Sequence, residues 1–295
     1  MRLFVTGGTG FIGSHLITMA LGAGHAVRAL RRSSNSRLRT STDREPEWIT
    51  KGMADITVGD LRETDVLVHL AAAGVSPQQA TWATLFRTNV LDSLELWRKA
   101  AEAGIRRLVV CGSCFEYGRS AERYEFIPAN APLEPTNAYA ASKASATMAA
   151  LAFAVETRVE LLVLRPFHVF GEGQHEANFW PALKEAAASG GDYRMTPGEQ
   201  VRDFTPVSMV ARAFMHAAQR PGLQPGLPRI ENVGTGNPQA LRAFAEYWWK
   251  KLDARGRLLV GALPYRTGEV MRYVPEVTEE VGNHSGAKGS DALRP

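Results

Sequence analysis

Short apolar runs and longer mixed stretches alternate through the first half of the chain. Leu3–Thr6, Ala26–Leu30, Ile56–Val58, Val66–Leu70, Leu108–Gly112 and Leu161–Arg165 read as buried strands. Ile12–Ala23, Gln79–Ala103 and Ala138–Thr157 read as the helices between them. This alternation predicts an α/β protein whose parallel sheet is covered by helices on both faces. After Phe167 the regularity breaks: helical stretches at Phe179–Ala188, Met209–Arg220 and Gln239–Ala254 mix with short strands and with Pro-Gly turns at Pro221 and Pro225. The chain therefore divides into a first unit over residues 1–166, a smaller mixed α/β lobe over 167–281, and an aperiodic tail, Gly282 to Pro295, expected to be disordered.

Composition narrows the function classes. The 295 residues are 45% hydrophobic, which suits an ordinary globular protein. The 34 basic and 30 acidic side chains are dispersed, so the net charge of +4 marks no basic patch, and nucleic-acid binding is not expected. No run of about 18 apolar residues occurs, and the N-terminus enters a strand-like pattern at once; a cytoplasmic protein without a membrane partner is expected. The two cysteines fall in Cys111-Gly-Ser-Cys114, at redox-motif spacing. They follow an apolar strand, however, where side chains three apart point to opposite faces, and neither a second cysteine pair nor a nearby histidine completes a metal site. Plain thiols and no metal are the expectation.

The first strand runs into Gly7-Gly-Thr-Gly10-Phe11-Ile12-Gly13, followed by an amphipathic helix. Glycines at 7, 10 and 13 allow a tight turn, a close approach of backbone N–H groups to a pyrophosphate, and packing of helix on strand. Set between a strand and a helix at the start of an alternating pattern, the loop predicts dinucleotide binding. The second strand ends Arg31-Arg32-Ser33, where an acidic residue would hold the ribose hydroxyl of NAD. Two guanidiniums and a hydroxyl suit a 2′-phosphate, so NADP is preferred over NAD.

Further on comes Tyr139-Ala-Ala-Ser-Lys143; on a helix, Tyr and Lys at this spacing share a face. A neighbouring ammonium would lower the phenol pKa from near 10 and fit it for proton transfer. The glycine loop, Ser113 at a strand end, and then Tyr139 and Lys143, in this order, resemble the extended short-chain dehydrogenase/reductase family. The resemblance spans Arg2 to about Pro275 and implies a Rossmann-type doubly wound parallel sheet with a smaller C-terminal substrate-binding lobe. It makes Tyr139 the proton donor or acceptor, Lys143 the holder of the nicotinamide ribose, and Ser113, five residues before Gly118 of Tyr117-Gly118, the partner of the reacting oxygen. It places Asp60 and Leu61 at the adenine, and Ala71 and Ala72 along the cofactor. A homodimer formed through the helices around Thr81–Ala103 and Ala138–Thr157 is also implied.

Segments 164–168, 201–204 and 266–269 are similar to the nucleotide-sugar branch of that family. By that resemblance Phe167 and His168 border cofactor and sugar, Asn178 approaches the diphosphate, Phe204 lies near the nucleotide, and Arg202 and Arg266 reach phosphate or ribose oxygens. Dehydratases of the branch carry acids directly after the catalytic Ser or Thr; here those positions are Cys114 and Phe115, with Glu116 one step later. The chain also lacks the family's usual C-terminal element. The expected activity is NADPH-dependent reduction of a keto group, at C4, on a nucleoside-diphosphate deoxysugar. An NAD-dependent nucleotide-sugar 4-epimerase is the alternative, and a non-enzymatic NADP-sensing regulator a third reading, since a fold alone does not fix function.

Overall fold

The computed structural model describes residues 1–75 and 80–277. The tail expected to be disordered and Gln79, the expected start of a helix, lie outside that range. Seven strands form one sheet, all of them parallel. In chain order they are β1 (Arg2–Thr6), β2 (Ala26–Arg31), β3 (Glu47–Thr50), β4 (Val66–His69), β5 (Arg107–Cys111), β6 (Glu160–Pro166) and an edge strand, Arg229–Val233. Their spatial order, from β3 through β2, β1, β4, β5 and β6 to Arg229–Val233, reverses direction beside β1, as in doubly wound dinucleotide folds.

Alternation along each strand makes two cores. Leu3, Val5, Val66, Val68, Val109, Leu162 and Leu164 face α1 (Phe11–Gly22) and a later helix, while Phe4, Leu67, Leu108, Val110, Leu161 and Val163 face the other side. Every one of these side chains is at most 4% exposed, and full burial of such a group stabilises by about 1.5–3 kcal/mol. The continuous apolar strands of the sequence are thus accounted for by a sheet buried on both faces.

Two expected elements differ. The third strand is Glu47–Thr50, not Ile56–Val58. Its mixed residues suit an edge with one partner, whereas Ile56 enters the core, and Thr57 caps the short α2 (Val58–Leu61) in a reciprocal capping box with Asp60. The expected long helix before residue 103 is interrupted: α3 (Trp82–Phe86) passes through a π-helical turn, Arg87–Leu91, into α4 (Asp92–Glu102). The next helix, α5, occupies Ala138–Thr157 as expected.

Beyond β6 the chain builds α6 (Phe179–Ser189), α7 (Val207–Gln219) and α8 (Leu241–Lys251). Phe170, Trp180, Leu183, Phe244 and Trp248 form an aromatic core of their own. Yet α7 packs on α1 against the main sheet, and Arg229–Val233 pairs with β6, so the chain after residue 166 contributes to both layers of the molecule. Among the described residues, no helix is long and apolar enough to cross a membrane.

Candidate active site

Because the seven strands are parallel, their C-terminal ends share one edge, and the loops leaving β1, β4, β5 and β6 meet there. After β1 the chain turns at Gly7, whose φ is +69°, and Gly10 N–H donates to the Gly7 carbonyl at 2.9 Å. A Cβ on Gly13 would stand 2.1 Å from the Gly7 oxygen, so this crossing of helix over turn admits only glycine. Gly10 begins α1 without a side-chain cap, which leaves N–H groups at the helix N-terminus open to an anion. Phe11 and Ile12, in the first turn, are partly exposed. The loop is a cradle that fits a dinucleotide pyrophosphate.

Other expected cofactor residues divide. Ala71 and Ala72 follow β4 beside this loop, and Ala71 N–H donates to Thr6 Oγ1 at 3.2 Å. The Thr6 hydroxyl also meets His69 Nδ1 at 2.8 Å, and His69 Nε2 meets Ser93 Oγ at 3.0 Å, so a buried histidine braces the turn. Burial drives its pKa down to about 3, keeping the ring neutral. At the end of β2, Arg31 is engaged: Nε donates to Thr50 Oγ1 and the guanidinium lies 5.0 Å over Trp48. Arg32 and Ser33 are exposed. Asp60 is committed to Thr57 and to Lys51, whose Nζ is 2.7 Å away, and Leu61 is fully buried. The third strand, Glu47–Thr50, is followed by Lys51 and Gly52, with exposed Asp55 at the end of the turn beyond.

Tyr139 enters the same edge from the first turn of α5, which Asn137 caps through Ala140 N–H. Its hydroxyl interacts with the side chain of Ser113, and Gly74 packs against its ring. Lys143, one turn on, is 5% exposed and donates from Nζ to the Cys111 carbonyl at 2.6 Å. The expectation that the ammonium lowers the phenol pKa is not met in this arrangement. Burial, reinforced by Cys111, Cys114 and Glu116, pushes Tyr139 upward, against the weaker lowering effect of its bond to Ser113. The thiols are also raised by burial, Cys111 to about 11 and Cys114 to about 12, which leaves neither reactive at neutral pH.

Two residues not singled out from the sequence support this trio. Asn89, buried in the π-helical turn, accepts from Ala73 N–H at 2.7 Å and donates to Ser142 Oγ at 2.9 Å, joining the loop after β4 to α5. Arg165 on β6 donates from Nε to Glu116 at 2.8 Å, and Glu116 also accepts from Ser113 N–H and Thr147 Oγ1. Glu116 is completely enclosed by these contacts, so it holds Ser113 in place and is unable to serve as an acid toward substrate.

On the open side, Phe115 projects beside Tyr139 and packs edge-on against His168 and Tyr273, with ring centroids 5.7 and 5.6 Å away. Phe167 is fully buried, whereas Phe204 borders His168 and stacks on Phe244. Asn178 precedes α6. Arg202 is buried, donates to Glu269 at 2.8 Å and to the Val270 carbonyl, and lies over Tyr273; Arg266 is exposed.

Comparison with known proteins places this geometry in a family. Residues 3–234 match the NAD dependent epimerase/dehydratase family. A UDP-glucose 4-epimerase of Neisseria gonorrhoeae is 28% identical over 284 residues, covering 83% of this chain and 82% of its own. UDP-arabinose 4-epimerase 1 of Arabidopsis thaliana is 24% identical over 304 residues, covering 91% and 71%. The structure of MoeE5 in complex with UDP-glucose and NAD superimposes with a TM-score of 0.84 at 28% identity, over 99% of this chain and 95% of that one. The preference for NADP finds no support in these relatives. With its glycine cradle, doubly wound sheet and matched span, the chain belongs to the NAD dependent epimerase/dehydratase family, within its nucleotide-sugar branch of extended short-chain dehydrogenase/reductases.

Proposed function

We propose that this enzyme is an NAD-dependent 4-epimerase of a UDP-linked sugar. The observation that carries the reading is the interacting pair of side chains, Ser113 and Tyr139, at the cofactor edge with Lys143 one helical turn on, in a chain whose relatives include UDP-sugar 4-epimerases. The loop from Gly7 to Gly13 would hold the pyrophosphate, Ala71, Ala72 and His168 the nicotinamide half, and Lys143 its ribose. When bound, NAD would supply reversible hydride acceptance at the sugar C4. Tyr139 relays the C4 hydroxyl proton out and back, and Ser113 steadies the oxygen as its charge changes. With Glu116 enclosed and Cys114 buried, neither of the two is available as an acid to drive elimination of water.

The C4 ketoreductase reading keeps one supporting observation, the Arg31-Arg32 pair at the end of β2. The two readings separate on cofactor retention, because an epimerase regenerates NAD in each cycle and has no need to release it. Protein purified without added cofactor and then denatured is expected to yield NAD in near-stoichiometric amount, and to interconvert UDP-glucose with its C4 epimer. Recovery of no NAD, with NADPH consumed on a 4-keto sugar nucleotide, would support the reductase. Tyr139→Phe should lower turnover by about 10²- to 10⁴-fold while bound NAD is retained; retention of a tenth of the activity would remove Tyr139 from its role.

A homodimer is part of the proposal. Met148 and Val155, seven residues apart on α5, are 59% and 58% exposed, and Trp82 and Leu91 are exposed on the adjoining α3 and π-helical turn. An apolar face of this kind on two neighbouring helices suits pairing with a second copy.

A further inference from the structure

We infer that Phe115, together with His168 and Tyr273, forms a sugar-binding wall selective for an uncharged sugar, with Phe115 as the residue that sets the specificity. The inference rests on the nucleotide-sugar reading and narrows it to a substrate class.

Phe115 follows catalytic-edge Ser113 by two residues on a tight turn and stays 39% exposed, although Cys114 and Glu116 on either side are buried. The Ser113–Glu116 capping box fixes that turn, so the ring is held out by backbone geometry rather than left loose. Its edge-on contacts to Tyr139, His168 and Tyr273 pin its orientation beside the proton donor. A flat apolar face in this position matches the C–H face of a sugar ring.

The second observation is polar. His168 Nδ1 is buried and has no hydrogen-bond partner in the protein, an arrangement that needs an outside partner to offset its desolvation. The imidazole is held neutral, by burial first and then by the Arg202 charge. A neutral ring nitrogen matches a sugar hydroxyl and brings no positive charge to a carboxylate.

Nor do the neighbouring cations. The Arg202 guanidinium is shared between Glu269 and the carbonyls of Val201 and Val270. Lys143 is bonded to the Cys111 carbonyl, and Arg266 is exposed, where water screens it. A uronic acid entering this wall would bury a carboxylate without a counter-charge unless it broke the Arg202–Glu269 pair. A neutral hexose or pentose meets neither penalty.

Calorimetric titration of the NAD-loaded protein with UDP, UDP-glucose, UDP-arabinose and UDP-glucuronic acid tests this. UDP-glucose and UDP-arabinose are expected to bind more tightly than UDP, and UDP-glucuronic acid at least about tenfold more weakly than UDP-glucose. In Phe115→Ala the two uncharged sugar nucleotides should fall by roughly tenfold toward the affinity of UDP, with UDP itself unchanged as the control for folding. Binding of UDP-glucuronic acid as tight as that of UDP-glucose, or an undiminished gain from the sugar in Phe115→Ala, would overturn the wall while leaving the nucleotide-sugar reading intact. Failure of UDP to bind would overturn both. Because the readout is affinity, the expected order without any C4 inversion would sustain the wall and remove only the epimerase reading.

Discussion

His69 shows how a single buried side chain couples the cofactor turn to solution conditions. Its ring lies between Thr6 and Ser93, stays neutral with a pKa of about 3, and would titrate near 6.5 once unfolded. The unfolded chain therefore takes up a proton that the folded one refuses. The resulting stability is complete above pH 6.5 and is lost as the pH falls from there toward 3, by about 2 kcal/mol at pH 5. Urea midpoints of the protein and of His69→Gln at pH 7.5 and 5 check this: the variant should lose distinctly less stability over that interval, and equal losses would refute the assignment. Legibility at this scale followed motif strength. Ser113, Tyr139 and Lys143 carry a spaced pattern and meet at one edge, whereas Asn89 is a lone amide in an amphipathic stretch, with nothing around it to mark its buried contact with Ala73. Spacing reveals the lysine near Tyr139 but not the burial that pushes the phenol up.

Between elements, the enclosed Glu116–Arg165 pair ties the turn that carries Ser113 to β6, and through Thr147 to α5. Removing one charge from such a pair leaves the other buried without compensation, at a cost of about 3–5 kcal/mol. Glu116→Gln is therefore expected to lower the free energy of unfolding by that amount in urea titrations. A variant as stable as the parent would show that the pair contributes nothing net. Strands buried on both sides were readable because their apolar runs are continuous. Glu47–Thr50 was missed because an edge strand tolerates Glu and Thr, while the apolar Ile56 beyond it belongs to a loop that dips into the core. Asp60, the expected adenine contact, is engaged in capping α2 and in its pair with Lys51. The π-helical turn escaped notice for a related reason: one extra residue per turn leaves the apolar pattern nearly unchanged.

At the scale of the molecule, the apolar face of α5 and its neighbours makes assembly testable. Met148→Asp should convert a dimer to monomer in sedimentation experiments without lowering the stability of the isolated subunit by more than about 0.5 kcal/mol, because the side chain is exposed. A parent protein that already sediments as a monomer would end the dimer proposal. A parallel sheet covered on both faces followed from alternation, and its doubly wound order from the family resemblance; the last strand followed from neither, since Arg229-Ile-Glu-Asn-Val233 is polar enough to pass for a loop and is separated from β6 by two helices.

That late strand has a consequence for how the protein is made. During synthesis the nucleotide-binding half emerges first, yet its sheet stays open along β6 until Val233 has cleared the ribosome. Through that interval Leu162 to Pro166 present unpaired backbone to any passing strand. A polypeptide stopped at Pro166 would keep that exposed border for good, and self-association rather than a free-standing half-enzyme is its natural fate.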